Sequence, residues 1–528
     1  MDIHEIRASL IQQAPSLRGM SGAVTASSQE AAEAGAVVLR AGGNAVDAAV
    51  AAALATCVAD PSNTGIGGYG GYMMVQRPGE RARCVMFPLC APSNRSPHEL
   101  ARAYPEEGPA CSSVPNVVGG LSRALSDFGT RSWAAASEPA IALARDGVAA
   151  NSQTRNALQL HRGSKFADEC FAFEPRRAEK IFFRQPALAQ TLELMALEGP
   201  EWFYHGPLGD AAHKAWSAAG VDVPRDDWRQ QARTVHVVEA PMFETQGVCL
   251  QAAPLGYSGS ACLFAFLEAA ARIARDGSLC SAEGMTRLAG AMASTWQYRF
   301  AGDGCNDFEG VDLPSWVDAA LAWRKPARLP ADVGHTAHLN VIDASGTLVA
   351  LTFTHGQSLF GGRWALPGTG VIMNGGMHNF SRSAVIERDG RWFGVSNMTP
   401  AIAVDRNGAR IAIGCPGARR IPSNIAIALA RHLFAGQGLR EAVAGGRLHA
   451  EDGALAFGES ERLEPGAVEA LRTAFGRFEP ETGELYYGPL TAIRQSSEGI
   501  EMALDDRRYR GFGASAGHTM HQANREEP

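Results

Sequence analysis

The stretch Gly334-His335-Thr336-Ala337-His338-Leu339-Asn340-Val341-Ile342-Asp343 runs through Ala344-Ser345-Gly346-Thr347 into Leu348-Val349-Ala350-Leu351-Thr352-Phe353-Thr354. His338, Asn340 and Ile342 alternate with Leu339, Val341 and Asp343, the period-two pattern of a strand with two different faces. Asp343 to Gly346 carries turn chemistry, with glycine free to take a positive φ. The second run is β-branched and apolar, as a buried strand should be. The reading is a hairpin that sets Thr336 and Thr354 on neighbouring strands. Were the bond before Thr336 cut, the new α-amino group would lie beside its own hydroxyl and could act as its base. Threonine is common in strands, so spacing alone does not separate this chemistry from an ordinary hairpin.

Composition narrows the classes around that hairpin. The chain has 528 residues, enough for two to four domains or for one large unit. Its net charge is -7, with acids and bases mixed along the chain, so there is no basic footprint for nucleic acid. No apolar run is long enough for a membrane helix. Met1 to Ser16 carries Asp2, Glu5 and Arg7 and does not read as a secretory signal, which points to the cytoplasm. The ten cysteines are scattered without CxxC pairs, and no HExxH pattern occurs, so neither a disulfide framework nor a metal or other cofactor is expected.

Outward from the hairpin, Ser27-Ser28-Gln29-Glu30 offers an N-cap for a helix over Ala31 to Ala41, which Gly42-Gly43 stops. Asn44 caps a second, alanine-rich helix from Ala45 to Cys57. The loop Asp60-Pro61-Ser62-Asn63-Thr64-Gly65-Ile66-Gly67-Gly68-Tyr69-Gly70-Gly71 lacks the Gly-Lys-Ser/Thr ending of a phosphate loop and leads into a strand, Tyr72 to Gln76. Its glycines read as close backbone approach. Asn151 to Asp332 reads as mostly helical, with apolar periodicity over Leu188–Ala196, Leu263–Arg275 and Ala282–Arg299. Arg324 to Asp332, with Pro326 and Pro330, reads as an exposed connector, and Ala514 to Pro528 as a polar tail.

Several of these motifs resemble the γ-glutamyltransferase family of N-terminal-nucleophile hydrolases. The resemblance rests on Gly334-His335-Thr336-Ala337-His338 with its Val-Ile-Asp turn and Thr-Phe-Thr strand. It extends to Leu39-Arg40-Ala41-Gly42-Gly43-Asn44-Ala45-Val46-Asp47, Glu138-Pro139-Ala140-Ile141-Ala142-Leu143-Ala144-Arg145-Asp146-Gly147, Pro367-Gly368-Thr369-Gly370 and Gly414-Cys415-Pro416-Gly417-Ala418. It implies an α+β fold, the four-layer αββα sandwich of that superfamily with a helical middle region. It implies self-cleavage between His335 and Thr336, giving a large subunit, 1–335, and a small one, 336–528. The two fragments would form a heterodimer, one compact unit built from both, with room for a homo-oligomer of it. Thr336 Oγ would then attack a small-molecule amide, oriented by Thr354, with the N–H groups of Gly417 and Ala418 as oxyanion hole. No membrane and no nucleic-acid partner is implied.

The chain departs from the family where a γ-glutamyl group would be held. Pro88 stands at the position of the arginine for the α-carboxylate, and Asn379, in Asn374-Gly375-Gly376-Met377-His378-Asn379, at that of the carboxylate for the α-amino group. The paired serines become Ser396-Asn397. Buried charges need partners, so these losses argue against glutamyl recognition. The residues expected to replace them are Arg419, Arg363, His355, His378 and Asn397, with Arg419 beside the oxyanion hole suited to a carboxylate bonded to the scissile carbonyl. Oxamate is the smallest amide of that kind, and one branch of the family hydrolyses it to oxalate and ammonia in purine breakdown. Two alternatives stand beside this reading: a γ-glutamyl hydrolase or transferase with a rebuilt pocket, and an unprocessed, inactive relative with a structural or binding role.

Overall fold

The computed structural model describes residues 22–516 apart from 175–180, 302–307, 309, 327–328, 330–333, 357, 383–384, 481–486 and 508–510. Met1 to Ser16, Cys305, most of the connector before Gly334 and the end of the polar tail lie outside the described residues.

Two large sheets organise the chain. Their strands are β1 (Ala23–Ala26), β2 (Gly70–Gln76), β3 (Arg83–Phe87), β4 (His236–Glu239), β5 (Met242–Thr245), β6 (Val248–Ala252), β7 (His335–Ile342), β8 (Leu348–Gly356), β9 (Ala401–Val404), β10 (Arg410–Gly414), β11 (Thr491–Ser496), β12 (Gly499–Leu504) and β13 (Phe512–Ser515). One sheet has seven strands in the order β13-β1-β7-β8-β2-β3-β4, and the other has six in the order β12-β11-β10-β9-β6-β5. Every pairing in both is antiparallel.

Alternation along β7 decides which side chains meet which layer. Ala337, Leu339 and Val341 join an apolar cluster with the helices α1 (Gln29–Arg40), α2 (Ala45–Ala59) and α3 (Trp133–Asp146). The opposite face of the seven-stranded sheet, with Tyr72, Met74, Ile342, Leu348 and Ala350, packs onto Ile402, Ala412 and Ile493 of the six-stranded one. The outer face of that second sheet, with Leu250, Ala403, Ile411 and Ile413, packs on α6 (Ser260–Asp276), α7 (Ala282–Phe300) and α8 (Arg420–Leu433). Between these groups of helices in the chain come α4 (Ser152–His161) and α5 (Pro186–Glu198). Helix, sheet, sheet, helix is the four-layer sandwich expected.

The α2 sequence explains its place. It is alanine-rich and every residue of it is buried, as a helix enclosed on all sides must be. Asn44 and Asp47 close a capping box at its start. The Asp47 carboxylate also accepts the N–H groups of Thr130 at 2.7 Å and Arg131 at 2.9 Å and the Thr130 hydroxyl at 2.6 Å. Asp343, in the hairpin turn, accepts the N–H of Ala45 at 2.8 Å, so the turn is pinned to the same helix start.

One expectation needs an addition and another a correction. The region 151–332 is mostly helical, as expected, but β4, β5 and β6 also lie in it, and β6 pairs with β9 inside the second sheet. Those strands are four or five residues long, and their alternation is hidden between long helical periods. The tail does not begin at Ala514, because Ala514 and Ser515 belong to β13 and pair with β1. The described cysteines are all free thiols. No described helix is long and apolar enough to cross a membrane.

Replacing Asp47 by Ala leaves several partly buried N–H groups without this acceptor, at a cost of about 1–2 kcal/mol. Urea unfolding of a Thr336→Ala chain with and without Asp47→Ala should show that loss as a lower midpoint.

Candidate active site

Thr336 is the second residue of β7, and it lies opposite Thr354 of β8. It is buried, at 4% exposure. The pairing register shifts between His335 and Thr336, so the ladder is irregular at the bond before the threonine. Such irregularities re-aim backbone next to functional groups. The Thr354 hydroxyl donates to the main-chain carbonyl of His335 and accepts the N–H of Gly356 at 2.8 Å. Among the described residues the expected bond from Thr354 to Thr336 does not form; the Thr354 hydroxyl meets the His335 carbonyl instead.

Gly417 and Ala418 lie in the turn between β10 and α8, with φ of 134° and 55°. Alanine at a positive φ is costly, by about 1 kcal/mol, and marks a backbone held for a purpose. Among the described residues neither N–H of this pair has a main-chain acceptor. Gly334 stands against the turn: a Cβ placed on it would lie 3.1 Å from the Cβ and 3.6 Å from the backbone nitrogen of Ala418. The structure therefore brings Thr336 and Thr354 together at the His335–Thr336 bond and sets Ala418, with Gly417 before it, against Gly334 one residue upstream of that bond.

The glycine-rich loop is packed as its sequence suggests. A Cβ at Gly68 would lie 2.6 Å from the carbonyl oxygen of Thr354, and one at Gly65 would lie 2.4 Å from Nε2 of His355. These glycines let the loop press on the end of β8.

Beyond Thr336, the inter-sheet face of β7 is polar at His338 and Asn340. His338 lies with Nδ1 at 2.8 Å from the Thr352 hydroxyl and Nε2 at 3.0 Å from Oδ1 of Asn340. The Asn340 amide donates across to the main-chain oxygen of Thr491 at 3.0 Å. Burial pushes His338 down to about 4, so its ring is neutral at physiological pH.

The predicted substrate-binding residues divide. Arg419 follows Ala418, but its guanidinium is engaged: Nε donates to Oε1 of Glu451 at 2.9 Å, and Nη2 lies 2.9 Å from Oε2. The same group lies over the Phe300 ring. Glu451 also meets Nε2 of His449 at 2.9 Å. Burial alone would raise the Glu451 pKa, but the bonds from His449 and Arg419 outweigh it and hold it at about 2. Arg363 sits on a separate loop, 3.6 Å from Glu106 and 3.5 Å from Glu107. The Asn379 amide donates to the Tyr69 hydroxyl at 3.0 Å, and His378 meets the Tyr104 ring edge-on. Ser396 takes the N–H of Met398, and Asn397 accepts the Thr399 hydroxyl through its main-chain oxygen. His355 does not line an open pocket in the uncut chain. It is fully buried under Gly65, its ring nitrogens have no partner among the described residues, and burial pushes its pKa down to about 3.

Sequence reasoning missed the partners on the near side of the bond. Gln153 Nε2 lies 3.4 Å from Nδ1 of His335, and Gln153 Oε1 accepts from Asn63 at 3.0 Å. Asn63 in turn donates to Asp60. The polar start of the glycine-rich loop was a signal for the last two; nothing local marks Gln153. Glu451, 32 residues beyond Arg419, was likewise missed.

The model of the Gamma-glutamyltranspeptidase family matches residues 31–515. The chain is 26% identical over 476 residues to the glutathione hydrolase proenzyme of Pseudomonas sp. (strain A14), covering 81% of each. It is 28% identical over 502 residues to the acylase ACY 1 proenzyme of Pseudomonas sp. (strain SE83), covering 87% of each. Among solved structures, the cephalosporin acylase from Bacillus halodurans superposes with a TM-score of 0.76 at 20% identity, covering 96% of this chain and 98% of that one, which bears on the fold.

Thr354→Val removes the hydroxyl on the His335 carbonyl. Cleavage before Thr336, followed by gel and mass, should slow at least about a hundredfold, the usual cost of one such donor. Glu451 gives a pH signature. Its contribution to stability is complete above its ordinary pKa of 4.5 and disappears as pH falls through about 2. Melting temperatures across that window should fall less steeply for Glu451→Gln than for the parent chain.

Proposed function

The chain belongs to the γ-glutamyltranspeptidase family, and from that premise we propose that it is a self-processing amide hydrolase whose nucleophile is Thr336. The observation that carries the reading is the Thr354 hydroxyl on the His335 carbonyl, with Thr336 in register and the Gly417–Ala418 turn beside Gly334. In maturation, Thr336 Oγ attacks the His335 carbonyl and the acyl group moves from nitrogen to oxygen. Water then hydrolyses the ester, leaving a carboxylate on His335 and a free amine on Thr336. In turnover that amine takes the hydroxyl proton, Oγ attacks the substrate amide, the amine product leaves with the proton, and water releases the acyl group. The N–H groups of Gly417 and Ala418 stabilise the oxyanion, at about 3 kcal/mol each.

The acyl group is a small, non-glutamyl one in this proposal. Pro88 brings no cation, and its carbonyl accepts from Asn116; Asn379 brings no anion, and its amide is spent on Tyr69. A ligand with both charges of a glutamyl group would be buried there without partners. The finer proposal is a carboxylate-bearing amide such as oxamate, with Arg419 as its anchor. The support for it is that this guanidinium, next to the turn, already binds one carboxylate in two-point fashion; the substrate would have to displace Glu451. The compartment proposed is the cytoplasm.

Intact mass of the purified protein beside Thr336→Ala tests the proposal. Two fragments, 1–335 and 336–528, absent from the variant, are expected. Ammonia release from oxamate and other small amides, against γ-glutamyl anilides, then sorts the substrate, and oxamate turnover that survives Arg419→Ala removes the carboxylate anchor. A chain that stays whole on long incubation overturns the enzyme mechanism and favours an inactive relative.

A further inference from the structure

We propose that Gln153, held by Asn63 and Asp60, is a positioning residue for the self-cleavage step and has no part in substrate turnover; this rests on the processing reading above.

The device begins at a buried carboxylate. Asp60 is fully buried at the end of α2 and can only accept hydrogen bonds. It receives the Asn63 amide at 2.8 Å, the Thr154 hydroxyl at 3.2 Å and the Ser62 hydroxyl at 3.3 Å. That fixes the Asn63 amide with its nitrogen toward Asp60. The same nitrogen also donates to Oε1 of Gln153. With its oxygen committed there, Gln153 must present its own N–H to Nδ1 of His335. An amide N–H needs a lone pair, and Nδ1 offers one in the tautomer that carries the ring proton on Nε2. Each orientation in the chain Asp60, Asn63, Gln153, His335 is thus dictated by the one before it.

The backbone completes the device. The main-chain oxygen of Asn63 accepts the N–H of His355, the residue after Thr354, at 3.3 Å. One short loop therefore holds the side chain of the residue before the scissile bond and the strand end that carries the hydroxyl on the scissile carbonyl. It sets the spacing between the two. Gln153 is nearly fully buried and sits in the first turn of α4, capped by Asn151, so its backbone is fixed before the cleavage.

The division of labour follows from connectivity. Before cleavage, holding the His335 ring holds the carbonyl that Thr336 attacks. After cleavage His335 is the end of another fragment, and its grip no longer orients Thr336.

The test is a double-mutant cycle on the first-order rate of cleavage, with Gln153→Leu, His335→Ala and both together. Melting temperatures in the Thr336→Ala background check that each folds. Each single change should slow cleavage about tenfold, as for loss of one buried hydrogen bond, and the pair also about tenfold, because both remove the same contact. The fraction of Gln153→Leu that does cleave should hydrolyse amide within about twofold of the parent, per N-terminal threonine. Parent-rate cleavage by Gln153→Leu, multiplying effects in the pair, or an equal loss in turnover would each overturn the proposal while leaving Thr336 as nucleophile. A parent chain that never cleaves overturns the processing reading and this one with it.

Discussion

The in-register pairing of β7 with β8 is the constraint on which the rest depends. Because side chains alternate, one register puts Ala337, Leu339 and Val341 against helices and Thr336, His338 and Asn340 between the sheets. A slip of one residue would exchange those sets, burying an imidazole and an amide among alanine-rich helices without partners. Core packing and the placement of Thr336 are therefore one choice. The turn reinforces it, since Asp343 ties the hairpin to the start of α2.

A fully apolar inter-sheet face would pack as well, yet this one carries His338, Asn340, Thr352 and Thr354 in line with Thr336. Each finds a partner: His338 with Thr352 and Asn340, Asn340 with Thr491 across the layer, Thr354 with His335 and Gly356. A satisfied buried network fixes a unique geometry. The network thus fixes the backbone around Thr336, where the proposed mechanism needs an oxygen placed closely.

Much of this was legible in the amino acids because it is local. The hairpin, the caps at Ser28 and Asn44 and the close-packing glycines follow from periodicity and turn chemistry within a few residues. What escaped depends on distant pairing. β6 is a short run, and its strand character comes from β9, about 150 residues on. Arg419 reads as a free cation until Glu451 is folded onto it. Thr354 looks like a partner for Thr336 because both are threonines, whereas its hydroxyl finds a nearer acceptor in the His335 carbonyl. Gln153 carries no signal, since a glutamine becomes informative only through what it touches.

The two large sheets interleave strands from both sides of the His335–Thr336 bond. In the seven-stranded one, β7 and β8 lie between β1 and β2, and in the six-stranded one β9 lies against β6. Cut at that bond, the chain would lose one covalent link and none of this pairing. The folded molecule would hardly register the change, but the unfolded one would: a whole chain refolds by itself, whereas two pieces must find each other. Recovery from denaturation would become dependent on concentration, and the mature form would persist by the height of its unfolding barrier. Such a molecule folds once as a monomer and thereafter lives on that single success.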